Sequence, residues 1–215
     1  MSAPSEPTAA TSLPPRVTDV DLRLLDAAQR GDHDAVVAAL KSSASVNAQG
    51  KGGDSAVLRA TRGHFLEVAR VLIEAGADVN LQDDRLDSAF LLAGAEGDVA
   101  ILRHAAPTAN PAILNRFGGT ALIPAAERGH VEAVRFLLDH TRVDVNHINN
   151  LGWTALLEAI VLSDGGPRHQ EVVRLLLARG ADPNIADREG VRPLQHARSR
   201  GYLEIARALE AAGAR

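Results

Sequence analysis

Eight histidines, 27 acidic residues and no cysteine set the range of chemistry open to this chain of 215 residues. Without cysteine there is no disulfide, no thiolate metal ligand and no cysteine nucleophile. The histidines are spread along the chain, and none stands four residues from another, the spacing that presents two metal ligands from one helix face. An HExxH metal motif, a GxSxG nucleophile elbow, a Walker loop and a GxGxxG turn are all missing. Gly50-Lys51-Gly52-Gly53 suggests a phosphate loop only by its glycines, because no GKS or GKT follows to open a helix. These patterns predict no catalytic centre, no metal and no cofactor. What remains suits recognition: the chain has a single Trp, Trp153, and four Phe, among them Phe117, and aromatic residues are prominent in interfaces.

Such groups need a scaffold, and the chain writes one by repetition. The stretch GGTALIPAAERGHVEAVRFLL, from Gly118 to Leu138, returns 34 residues later as GWTALLEAIVL and HQEVVRLLL between Gly152 and Leu177. A period near 33 residues in helix-turn-helix form marks a repeat array, which offers one long face and no single interior pocket. With the Thr of "TAL" as phase marker, Thr120 and Thr154 align with Ser55, Ser88 and Arg192, and Leu22 fits the first unit. The spacings are 33, 33, 32, 34 and 38 residues. Six units are expected, at approximately 18–47, 48–80, 81–112, 113–146, 147–184 and 185–215, after a disordered N-terminal tail over 1–17.

Within a unit, a Ser or Thr at the marker caps a short first helix. Gly31, Gly97, Gly129 and Gly201 supply the left-handed stop. A second helix with a stronger apolar stripe comes next, such as Val134, Leu137 and Leu138, and a turn such as Gly76–Asn80 closes the unit. Neither helix buries its stripe alone, so units must stack.

Charge and hydropathy fit a soluble, cytoplasmic chain. Apolar residues make up 46% of it, the net charge is −4, and lysine occurs only at Lys41 and Lys51, so binding to nucleic acid phosphate is not expected. No apolar run reaches the roughly 18–20 residues of a membrane span. The start, MSAPSEPTAATSLPPR, has neither the basic nor the apolar part of a signal peptide.

AGADVN at 75–80, RGADPN at 179–184, GGTAL at 118–122 and RGHVEAVRFLL at 128–138 resemble the ankyrin repeat over about residues 18–215. The wording NRFGGTALIPAAERGH followed by NNLGWTALLEAI is similar to a type common in bacteria. The resemblance implies an all-α ankyrin-repeat solenoid, with helix pairs joined by β-hairpin-like loops and a concave face of hairpins and first helices. It also implies a non-enzymatic, protein-binding role. His130, and His169 in the same slot, are implied to tie units together through backbone hydrogen bonds, with His64 one residue away from it.

The family pattern places partner-reading positions four, three and one residues before the marker and seven and eight after it. From these, Arg85, Glu96, Arg116, Phe117, Glu127, Arg128, Asn150, Trp153 and Arg188 are candidate partner-binding residues. Leu151 and Leu162 fall in the same set. Glu158 joins them because it stands in LLEAI where an apolar residue is expected; it either pairs with a neighbouring Arg or points into the groove. The expected partner is a protein, bound by a monomer. The alternatives are a small-ligand or enzymatic groove around Glu127, Trp153 and Glu158, and a self-assembling structural stack.

Four irregularities interrupt the pattern. Pro107 and Pro111 predict a short or broken second helix in unit three. Leu86 replaces a turn glycine, and Pro124 falls in the first turn of its helix. Ser163–Pro167 is read as an exposed, mobile loop extension placed to overhang the groove. In unit one, Asp21, Arg23, Asp26 and Gln29 are expected to form a polar outer cap, as are Arg198, Ser199 and Arg200 in unit six.

Overall fold

The computed structural model describes residues 17–215, so the expected tail lies outside the described residues except for Val17. Among the described residues, twelve helices form six pairs. In chain order these are α1 (Asp19–Arg30) with α2 (His33–Lys41), α3 (Ala56–Arg62) with α4 (Leu66–Glu74), α5 (Ala89–Glu96) with α6 (Val99–Ala105), α7 (Leu122–Glu127) with α8 (Val131–His140), α9 (Ala155–Val161) with α10 (Pro167–Ala178), and α11 (Pro193–Ser199) with α12 (Leu203–Ala211). First helices stack on first helices and second on second, so each row covers the apolar stripe of the next. Leu24, Leu58, Phe90, Leu122, Leu137 and Leu156 fill the space between rows and are fully buried. The only β pairing among the described residues is the isolated bridge Gln49–Ser55.

The helix starts are set by their caps. Ser55, Ser88 and Thr154 accept hydrogen bonds from the N–H groups of Leu58, Leu91 and Leu157 at 3.3, 3.3 and 3.2 Å. Unit one departs from the expected register. Thr18 caps α1 one turn before Leu22, in a capping box with Asp21, so Leu22 lies inside the helix and is exposed. Asp21 is consequently buried rather than part of the polar outer cap: it accepts from Thr18 and, at 2.6 Å, from the Ser45 N–H. These bonds hold its carboxyl below the ordinary carboxylate value.

Unit four departs for another reason. In its neighbours the marker carbonyl accepts from the N–H four residues on, as in Glu158 to Thr154. Pro124 has no N–H, and the Thr120 carbonyl accepts instead from Ile123 at 3.3 Å. That takes the donor the Thr120 hydroxyl would have used, and the hydroxyl is left buried with no partner.

Gly31, Gly97, Gly129 and Gly201 all adopt positive φ, as their role as helix stops requires. Units two, four, five and six each lay a ring on a glycine of the unit before: Phe65 on Gly31, His130 on Gly97, His169 on Gly129 and Tyr202 on Gly165. His169 Nε2 also meets the Glu127 carbonyl at 2.9 Å, tying unit five to unit four. In unit two Phe65 supplies the ring, and His64 turns to Asp98.

Side-chain clamps reinforce the stack. Asn47, Asn80, Asn146 and Asn184 each bridge to the closing turn of the following unit. The ladder has one gap, between units three and four, where Ala112 occupies the asparagine slot. The same unit has the shortest second helix, α6, which stops two residues before Pro107. Leu86 keeps the left-handed turn at φ 60, as the glycines in the equivalent loops do.

The 163–167 segment differs from expectation. Pro167 is the first residue of α10, where its fixed φ suits a helix start. Ser163 and Gly165 are held by Tyr202, whose hydroxyl donates to the Ser163 carbonyl at 2.6 Å, and by Gln170. The segment is pinned toward unit six and lines neither hollow of the groove.

Candidate functional site

Four of the five hairpins on the groove side are built by one side chain five residues before the phase marker. Asp83, Asn115, Asn149 and Asp187 each accept two backbone N–H groups of their own loop, for example Leu151 and Trp153 at 3.0 Å on Asn149 Oδ1. In units five and six the rest of that side chain reaches the first helix. Asp187 meets His196 at 2.6 Å; burial by itself would raise the Asp187 carboxyl, but this bond and the loop N–H groups outweigh it and leave the group below its ordinary value. In unit five the amide of Asn149 donates to Glu158 Oε1 at 2.7 Å.

Two hollows open between these hairpins and first helices. The first, about 200 Å³, lies across units three and four and is lined by Arg85, Asp87, Glu96, Arg116, Phe117, Pro124, Glu127 and Arg128 among others. It is ionic. Arg128 bridges to Glu96 at 2.8 Å and donates to the Ala95 carbonyl, and Arg85 and Arg116 both stand 4.0 Å from Asp87. The second, about 190 Å³, lies across units four and five and is mainly apolar, with Phe117, Ile123, Pro124, Leu151 and Leu162 around Asn115, Asn149, Glu127 and Glu158. Asn115, Phe117, Pro124 and Glu127 stand in both and form the divide. The Arg116 guanidinium covers the Phe117 ring at 4.7 Å.

Glu158 resolves the choice left by its sequence position. It pairs with no arginine; it lines the second hollow and is 4% exposed. Burial, and after it the Glu127 carboxylate, raise its carboxyl to about 7, against the opposing Asn149 hydrogen bond.

The structure thus brings together seven of the ten candidate residues: Arg85, Glu96, Arg116, Phe117, Glu127 and Arg128 around the first hollow, and Phe117, Glu127 and Glu158 around the second. The other three stand apart. Trp153 is half-buried and lines neither hollow. Asn150 lies over Gly118, with its N–H on the Phe117 carbonyl, and Arg188 lies over Gly152 and donates to the Asn150 carbonyl. Both tie one hairpin to the next. Asn115 and Asn149 are the residues that sequence reasoning missed; their signal was the Asp or Asn recurring five positions before four of the markers. A further hollow of about 270 Å³, between α1 and α2, contains none of the candidates. Among the described residues no group of three His, Asp or Glu is placed to hold a metal ion, and no helix is long and apolar enough to cross a membrane.

Comparison with known proteins agrees with this architecture. A family model for ankyrin repeats in three copies matches residues 87–187, and one for many copies matches 24–73 and 166–210. The putative ankyrin repeat protein YahD of Escherichia coli (strain K12) is 44% identical over 190 residues, 87% of this chain and 94% of that protein. Cyclin-dependent kinase 4 inhibitor B of Bos taurus is 43% identical over 105 residues, 48% of this chain and 75% of that one. Others are far longer: the match to human 2-5A-dependent ribonuclease, 49% over 51 residues, spans 7% of it. Among solved structures, an ankyrin repeat domain from Acinetobacter baumannii AYE shares 51% identity with a TM-score of 0.87, covering 89% of this chain and 98% of that one. The ankyrin repeat domain of Bcl-3 shares 25% identity with a TM-score of 0.75, covering 90% and 86%. With helix pairs, hairpins, capping residues and relatives all in agreement, the chain belongs to the ankyrin repeat family.

Proposed function

We propose that residues 18–215 form a non-catalytic scaffold that binds a partner protein through the hairpin and first-helix face of units three to five. The observation that carries this is the apolar part of the divide and rim of the two hollows, where Phe117, Leu151 and Leu162 are each about half exposed (52%, 51% and 50%) on a single face. A large apolar group left in water beside ordered ion pairs suits burial against a partner, with arginines at its edge. Ankyrin repeats are in general protein-interaction modules, and one relative is by its name an inhibitor of a kinase. The proposal takes the chain as a monomer in the cytoplasm, in keeping with the lack of cysteine.

The test is affinity purification from cells with the intact chain and with a Phe117→Ala, Leu151→Ala double variant of unchanged circular dichroism. Partners recovered by the first and lost by the second support the site. Identical partner profiles would overturn it.

A further inference from the structure

Five first helices carry an equivalent slot on the groove floor, four residues after the phase marker: Arg59, Leu92, Pro124, Glu158 and His196. Leu92 and Pro124 are apolar. Arg59 is matched by Asp54 through two hydrogen bonds of 2.8 and 3.0 Å, and His196 by Asp187 at 2.6 Å. Glu158 alone brings an ionisable group to this slot without a counter-charge, because its hydrogen-bond partner, Asn149, is neutral. The other charged group on the wall of its hollow is Glu127, a second carboxylate that joins no ion pair. Nor does the chain supply a cation of its own: Arg128 is held by Glu96 and the Ala95 carbonyl, and Arg116 lies over the Phe117 ring on the side of the other hollow.

An apolar rim above two unmatched acids is complementary to a side chain with a long methylene stem and a cationic head. Building on the protein-binding reading, we propose that the hollow between units four and five receives one lysine or arginine side chain of the partner protein, its stem against Phe117, Leu151 and Leu162 and its cation at Glu127 and Glu158. Glu158 is then ionised in the complex, because a cation at the carboxyl opposes both burial and the Glu127 charge. In the free chain its carboxyl titrates near 7, so binding at pH 6 must expel a proton that is largely gone at pH 8.

Apart from Glu127, none of the titratable groups on the helices packed against α9 lines the hollow, Arg168, Glu171, Arg174 and Arg198 included. From α7 Glu127 shares the hollow, while Arg128 is held as above. From α10 His169 meets Asp164 and the Glu127 carbonyl. From α11 His196 is taken by Asp187, and Arg200, just beyond it, donates to the Val161 carbonyl. None of the histidines lines the hollow.

The test uses peptides selected from a random display library against the intact chain, then synthesised in acetylated, histidine-free form for titration calorimetry. Among peptides whose binding is lost with Phe117→Ala, replacing one basic residue with norleucine is expected to weaken binding by about 30-fold. Affinity is expected to rise about tenfold from pH 6 to pH 8. With Glu158→Gln, which retains an acceptor for Asn149, that rise disappears; with Glu127→Gln binding weakens at both pH values. Phe117-dependent peptides that tolerate norleucine at every basic position overturn the inference and leave groove binding standing, as does a pH rise that survives in Glu158→Gln. A selection that yields no Phe117-dependent peptide counts against both readings.

Discussion

A carboxyl with an ordinary value of 4.5 that titrates near 7 in the folded chain holds its proton more tightly folded than unfolded. For Glu158 this fixes the sign. Below about pH 4.5 the group is neutral in both states and costs nothing. Between 4.5 and 7 the unfolded chain loses its proton first, stability falls as pH rises, and above 7 the full penalty is present. Glu158→Gln should therefore raise the unfolding free energy by about 1–3 kcal/mol at pH 8 and leave it nearly unchanged at pH 4.5. Urea denaturation of the two proteins at both pH values checks this, and an equal effect at each pH would sink the assignment. The residue was visible in the sequence as an acid among LLEAI. Its partner was not, because Asn149 lies nine positions back on a loop, and only the hairpin's fold turns its amide onto α9.

A proline three residues into a six-residue helix explains why one of the marker threonines is idle. Thr154 satisfies the Leu157 N–H, whereas Pro124 has drawn the equivalent donor in α7 to the backbone. Thr154→Val should thus cost about 1 kcal/mol, and Thr120→Val should be neutral or slightly stabilising, since it removes an unpaired buried hydroxyl. Equal losses by chemical denaturation would show that Thr120 has a partner after all. Caps, glycine stops and the short α6 were legible because their causes lie within a few residues. The start of α1 was not: periodicity aligned Leu22 with the markers, while the Thr18–Asp21 box, completed by distant Ser45, began the helix a turn earlier. Pro167 was read as loop although a proline also opens helices, and contact with Tyr202 from the next unit decided between the two.

At four of the five junctions of the array a ring is laid on a glycine, so two like glycines differ in consequence according to whether a ring covers them. Gly97 and Gly201 have nearly the same φ, 71 and 72, but a Cβ on Gly97 would lie 2.6 Å from the His130 ring and one on Gly201 would meet nothing. Gly201→Ala should cost about 1 kcal/mol for its backbone alone, and Gly97→Ala about 3 kcal/mol, by urea denaturation. Matching losses would mean that the ring contact adds nothing. The period of the sequence foretold this stack. It did not foretell that the asparagine ladder lapses between units three and four, where a single alanine stands for the clamp. The ionic hollow straddles that same junction. Under the proposed binding mode, a partner seated across both hollows grips units on either side of the lapse and acts as a splint. The bound array is then braced from outside at the one junction that lacks its asparagine clamp.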